Sequence, residues 1–364
     1  MEYQHSTVVP PPMKQEDLDL TKLLSVASLA VASAEENLDF VQAHLVVDCG
    51  CELGEGVIFD DQSHTVLWTD INGKRYHELH LNYLDPTKAQ FSTYNVPKKL
   101  CSFGMVADSS PPSSDTDTRV GRKLLCAWED GFQLYDIHNG KALSEYSTGE
   151  DVNPDKGPTR LNDGRVDPSG NRFVCGGYYG EIEGQTMKVF KVEQKNVKKL
   201  YHEAIVDTIE VTNSINWTLD GKTMYLANSP TRAICTYTYH KNGTVTDRKE
   251  FHKKPDGEKG VPDGSCVDSE GYLWNAVWRS GHGPGMVQRI NPDTGLVVFT
   301  VHMPDATSQV TCCCFGGVDM DILFITSAAE HLDLAKEPHA GGLYAAKVPY
   351  KGRKESRFRL TPDG

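Results

Sequence analysis

The sequence predicts an all-β protein, a six-bladed β-propeller with an N-terminal extension. Three observations predict it. An aspartate-rich turn with a glycine, followed by a short run of β-formers, recurs from about residue 45 onward. The recurrence has a steady period near fifty residues, and long amphipathic helical patterns are nearly absent after residue 45.

The cadence reads "FDDQSHTVLWTDI" (59–71), "VDPSGNRFVCGG" (166–177), "TLDGKTMYLANS" (218–229), "VDSEGYLWNAVW" (267–278) and "FGGVDMDILFITSA" (315–328). A blurred copy at 105–131 carries a Ser/Pro/Asp insertion at 108–121 that widens its turn. With Asp61, Asp108, Asp167, Asp220, Asp268 and Asp319 as markers, the steps are about 47, 59, 53, 48 and 51 residues. Four short strands with their turns occupy that length, which is one propeller blade. Two β-sandwiches would give short strands but no steady period. The expected organisation is an extension over 1–44, a propeller over 45–350 and a C-terminal tail over 351–364.

In the extension, "TKLLSVASLAVASA" (21–34) has an apolar run and an A-x-A-like end, but acidic residues precede it where a signal peptide is basic. The run is too short to span a bilayer. A tail or short helix outside the main domain is expected, and the chain is expected to be cytoplasmic. The sequons at Asn216 and Asn242 would matter only after secretion. Ten cysteines, three of them consecutive at 312–314, show no C-x-x-C spacing and suit no disulfide framework. They read as small buried residues in a reducing compartment. A formal net charge of -13 argues against nucleic-acid and anionic-membrane partners.

A propeller points the starts of its inner strands at one axis, so residues far apart in sequence can share a site. Four stretches place an acid or amide just before a strand: "ELGEGVIF" (52–59), "TRLNDGRVD" (159–167), "VTNSINW" (211–217) and "GVPDGSCVD" (260–268). They offer Glu55, Asn162, Asn213 and Asp263. These residues supply only oxygen, which suits a hard divalent cation such as Ca²⁺, Mg²⁺ or Mn²⁺, with oxygen-bound zinc also open. Asn and Asp before Gly also favour turns, so Asn162-Asp163-Gly164 and Asp263-Gly264, taken singly, read as turns. Glu55, between two glycines, is a poor turn former. Asp167, Asp220 and Asp268 are assigned to structure; Tyr178 and Tyr179 are assigned to packing by default, with a lid over the site as the alternative.

"LGEGVIFDDQSHTVLWTDI", "RLNDGRVDPSGNRF", "NSINWTLDGKTMYLANS", "PDGSCVDSEGYLWNAVW" and "CCFGGVDMDILFITSA" together resemble the motifs of the regucalcin (senescence marker protein)–gluconolactonase family, in order and at suitable spacing. The resemblance covers about residues 45–350. It implies one divalent metal (Ca, Zn, Mn or Mg) on the axis and hydrolysis of sugar lactones, with Glu55, Asn213 and Asp263 as metal ligands. Arg160 and Asn162 would bind substrate oxygens. Glu181, in "YYGEIEG", falls near a position that contacts sugar hydroxyls once a one-residue insertion is allowed. Asp263 would be the general base that opens the lactone with activated water. Asn213-Ser214 stands where the family usually has Asn-Gly, and Asn228-Ser229 where it usually has Asp-Ser. Two other readings share the oxygen ligands: a calcium-binding protein without turnover, and a phosphotriesterase-like hydrolase. Arg160 discriminates against the first, since a pure cation site gains nothing from a nearby guanidinium.

Overall fold

The computed structural model describes residues 39–360, apart from 84, 86, 87, 108–120, 155, 156 and 197. The expected helix or tail over most of the extension, the 108–121 insertion and the last four residues therefore lie largely outside the described residues. Among the described residues there are six sheets and no α-helix.

Each sheet is one blade, an antiparallel meander in which strands consecutive in the chain lie side by side. Blade 1 comprises Gly54–Asp60, Thr65–Asp70, Arg75–His80 and Gln90–Asn95. Blade 2 comprises Leu100–Ala107, Lys123–Trp128, Gly131–Asp136 and Lys141–Ala142. Blade 3 comprises Arg160–Val166, Arg172–Tyr178, Met187–Asn196 and Lys199–Ile209. Blade 4 comprises Thr212–Trp217, Thr223–Asn228, Ala233–Tyr239 and Val245–Lys253. Blade 5 comprises Val261–Val267, Leu273–Trp278, Met286–Ile290 and Val297–His302. Blade 6 comprises Val310–Gly316, Ile322–Ser327 and Leu343–Lys347, completed by His44–Val47 from the N-terminal side. The first strand of every blade touches the first strand of the next, so the six inner strands ring the axis.

Closure sets the boundaries. His44–Val47 pairs antiparallel with Leu343–Lys347, tying the two ends of the chain into one sheet. Phe40–Gln42 adds in parallel to the outer strand of blade 5, and Phe358–Arg359 adds in parallel to the inner strand of blade 2. The propeller expected over 45–350 therefore extends to 40 and 359 among the described residues. The reason is physical: an exposed strand edge offers unpaired backbone groups, and these short segments cover three of them.

Apolar residues of each blade face their neighbours. Six buried clusters each join two adjacent blades, blade 6 with blade 1 included. Trp68, Trp128 and Trp274 are fully buried in them. Burial of each such side chain contributes roughly 2–3 kcal/mol. All ten cysteines are buried and unpaired.

The repeated aspartate follows the inner strand and folds the turn beyond it. Asp268 accepts from the Glu270 and Tyr272 amides at 2.9 Å, from Trp274 Nε1 at 2.9 Å and from Arg289 Nε at 2.8 Å. Asp167 holds the Arg172 amide at 3.3 Å and Ser169 Oγ at 2.7 Å. In blade 1 this role falls to Asp60, not its neighbour Asp61. Asp60 binds the Gln62 amide at 3.0 Å and both Arg122 at 2.6 Å and Arg357 at 2.5 Å. The segment after blade 6 runs beneath these turns: Lys354 pairs with Asp61 at 2.8 Å and Glu355 with Arg165 at 2.9 Å. These turns close the face opposite the strand starts. The sequon residue Asn216 is buried in the blade 4 inner strand, donating to Ser265 O at 2.8 Å.

Candidate active site on the propeller axis

The inner strands share a second regularity. In blades 1, 3, 4, 5 and 6, three residues of the inner strand span two of its partner, a one-residue bulge near the strand start. Blade 2 has the same surplus between Leu100 and Ser102. A bulge bends the strand and re-aims the side chain beside it. Glu55, Asn162, Asn213 and Asp263 each lie within or immediately beside the bulge of their strand. All four, with Arg160, line one open cavity of about 320 Å³ at the mouth of the central channel. Asn162-Asp163-Gly164 and Asp263-Gly264 are therefore strand residues rather than turns.

The bulge needs unusual backbone. Gly56 and Ser214, the residues directly after Glu55 and Asn213, have φ of 60° and 57°. Left-handed geometry is easy for glycine and costs a serine roughly 1 kcal/mol. Ser214 offsets that cost: its Oγ donates to Asp263 O at 2.6 Å and accepts from Asn275 Nδ2 at 2.8 Å. The departure from Asn-Gly thus keeps the glycine conformation and ties blade 4 to blade 5.

A chain of hydrogen bonds orients the amides. Asn162 Nδ2 donates to Thr212 O at 2.8 Å and to Asn213 Oδ1 at 3.2 Å. Asn213 Nδ2 donates to Ser229 Oγ at 2.9 Å, and Ser229 Oγ to Pro262 O at 2.7 Å. Asn213 Oδ1 therefore faces the axis with a lone pair to spare. Arg160 donates to Asn162 Oδ1 and to Leu161 O, and its guanidinium stacks over Tyr178 at 4.6 Å. Both Asn162 amide hydrogens are committed within the protein, so Asn162 sets the orientation of Asn213 and Arg160. Asn228, at the other departure, accepts from the Glu210 and Val211 amides at 3.3 and 3.1 Å. Glu181 stands on the cavity wall in an exposed loop, with φ of 57°.

Charge defines the site. Burial and the Asp163 charge beside it push Glu55 up to about 8, against the opposing pull of the Gly56 amide, the Arg160 charge and a hydrogen bond with Asp263. Burial and the Glu55 and Asp163 charges raise Asp263 well above the carboxylate range. Asp163 is itself raised, chiefly by withdrawal from solvent, and accepts the Ile215 amide at 3.1 Å. Sequence reasoning missed Asp163 by reading it as a turn residue; its signal was its place beside Asn162 in a stretch that had to be strand. Tyr178, Trp278 and Glu330 on the cavity wall were also missed: Tyr178 and Trp278 end the second strands of blades 3 and 5, and Glu330 follows the second strand of blade 6.

Arg165 offsets the Asp163 charge, and Arg160 alone faces both Glu55 and Asp263, so the paired cavity carboxylates call for a further cation. Glu55, Asn213 and Asp263 present oxygen donors of the kind hard divalent ions take, so the donor set fits such a metal. Near Glu55 the structure also groups Cys51, Asp70 and His77, whose ligand atoms lie within 4.8 Å of one another. None of these three lines the axial cavity.

Comparison with known proteins follows the same chemistry. The chain is 29% identical to regucalcin of Xenopus laevis, over 84% of this chain and 93% of that protein. It is 31% identical to the L-arabinolactonase of Azospirillum brasilense, over 89% of this chain and 97% of that enzyme. Among solved structures it resembles a calcium-binding protein, regucalcin, of Agrobacterium tumefaciens, with a TM-score of 0.70, 27% identity, and coverage of 88% and 99% of the two chains. Residues 53–329 match the profile of the SMP-30/Gluconolactonase/LRE-like region. The chain belongs to that family of lactonases and regucalcins.

Proposed function

We propose that this protein is a divalent-metal-dependent lactonase that opens sugar lactones to hydroxy acids. One observation carries the reading: Glu55, Asn213 and Asp263, from three different blades, meet Arg160 on the wall of a single axial cavity. The lactonase and calcium-binding relatives support it. Glu55, Asn213 and Asp263 would hold the cation, which supplies Lewis acidity toward a carbonyl oxygen and toward water.

The chain's own residues do the rest. Arg160, stacked on Tyr178, presents its remaining N–H groups to substrate oxygens. Asn162 keeps that guanidinium and the Asn213 amide in register. Asp263, its backbone carbonyl pinned by Ser214 and Asn275, accepts the proton of the attacking water. Glu181 on the rim meets sugar hydroxyls. Addition of water across the lactone C–O bond leaves an acid and an alcohol. No helix among the described residues is long and apolar enough to cross a membrane.

The test is a lactone panel, with a phosphotriester included, assayed on protein stripped of metal and restored ion by ion. Metal-restored lactone hydrolysis that disappears in Asp263→Asn is the expected result. Calcium binding at full strength without turnover of any lactone would instead favour the binding protein without catalysis.

A further inference from the structure

We infer that Cys51, His77 and Asp70 form a second metal site, specific for a thiophilic d¹⁰ ion of the Zn²⁺ class and independent of the axial oxygen site. Cys51 lies in the loop before blade 1, Asp70 ends the second strand of that blade, and His77 lies on its third strand. All three are fully buried.

Distances decide what the cluster can hold. Cys51 Sγ lies 3.5 Å from His77 Nε2. Zinc bonds of about 2.3 Å to sulfur and about 2.0 Å to nitrogen, at a tetrahedral angle, separate two ligands by about 3.5 Å. The observed spacing is that of ligands around one ion. A carboxylate oxygen of Asp70 lies within 4.8 Å of both. The Cys49 thiol, 3.5 Å from Cys51 Sγ, is the nearest group for a fourth position. A thiol and an imidazole select zinc-like ions over calcium, whereas the axial site has oxygen alone.

The surroundings support ligation. His77 Nδ1 is fixed by Thr93 Oγ1 at 2.9 Å, which leaves Nε2 turned toward the sulfur. Trp68 and Phe91 stack against the ring at 5.1 and 5.6 Å and keep it dry. Asp70 Oδ1 accepts the Leu53 and Gly73 amides, both at 3.0 Å, and Oδ2 accepts Arg75 Nε and Nη2 at 3.0 and 2.6 Å, so an ion taken by Asp70 would replace one of these contacts. Ligating histidines and carboxylates are held in this way by outer hydrogen bonds. An ion here would fasten the segment that leads into Glu55 to the second and third strands of blade 1, beside the Cys51 amide that already bonds Gly341 O at 2.9 Å.

The experiment is a titration of the full-length, reduced, metal-free chain with Co²⁺, followed by Zn²⁺. Only a cysteine ligand gives a near-ultraviolet sulfur-to-cobalt charge-transfer band, so the axial site is silent in this readout. The band is expected to saturate at one equivalent, to persist in Glu55→Gln/Asp263→Asn and to vanish on adding Zn²⁺. It is expected to be lost in Cys51→Ser and in His77→Gln, whose folding is checked by circular dichroism. As a second readout on unaltered protein, Zn²⁺ should protect Cys51 from alkylation, read by peptide mass spectrometry. Cobalt binding without the band, a band surviving in Cys51→Ser, or unprotected Cys51 would each overturn the inference. So would a native Cys49–Cys51 disulfide. Loss of lactonase activity with this band intact would refute only the axial reading.

Discussion

Replacing Glu55 with glutamine should make the metal-free protein more stable at alkaline pH. Glu55 is about 8% exposed and faces Asp163 and Asp263, so folding raises it from an ordinary 4.5 to about 8. At about 1.4 kcal/mol for each tenfold change in proton affinity, that gap sets an upper bound of about 5 kcal/mol on the cost of ionising it in the fold. The sign follows from proton linkage. A group whose pKa is raised by folding contributes its full stability below about 4.5, and that contribution is lost as pH rises through about 8. Metal-free wild-type protein should therefore lose up to about 10 °C of melting temperature between about pH 4.5 and 8, at roughly 2 °C per kcal/mol, and change little above that. Glu55→Gln should lack most of that decline, and saturating Ca²⁺ should abolish it in the wild type while leaving the variant almost unmoved. The assay is thermal unfolding in chelator across pH, with and without added Ca²⁺. Parallel profiles for wild type and variant would refute the view that these carboxylates are an unmet demand for a cation.

Ser214→Gly should leave stability within about 1 kcal/mol, because relief of the left-handed backbone offsets the lost hydrogen bond, whereas Ser214→Ala keeps the strain and should cost about 1–2 kcal/mol in urea unfolding. Arg160→Met should raise KM for a lactone at least tenfold while calorimetric Ca²⁺ affinity stays within a few-fold; equal losses in both would place Arg160 in cation binding instead. Asp60→Asn breaks a buried pair with Arg122 and Arg357 and should cost about 3–5 kcal/mol. Burial opposes ionisation of Asp60, but those two guanidinium groups outweigh it and hold the carboxyl below its ordinary 3.8. Its contribution is therefore present above that value and lost as pH falls through the depressed one, so acid unfolding of Asp60→Asn should depend less on pH there.

The blade count was legible because a strand, an aspartate turn and a second strand must recur in every blade. Asp167 and Asp268 show why aspartate recurs: each gathers backbone amides that the turn leaves unpaired. Asp60 rather than Asp61 plays this part in blade 1, a distinction that depends on strand register and not on composition. Closure was illegible, since His44–Val47 is four residues long and carries no turn signal of its own. The cavity residues could be proposed singly, but the bulge that aims Glu55 and Asn213 at the axis arises from pairing with the second strand. Cys51 read as a small apolar residue because His77 reaches it only through the folding of blade 1.

The central claim is most directly tested by a crystal structure of the protein soaked with Mn²⁺, with an anomalous difference map at the manganese edge. The account predicts one strong peak on the axis, with Glu55, Asn213 and Asp263 oxygens in its coordination shell. An empty axis under saturating metal, with those side chains still packed against one another, would contradict it.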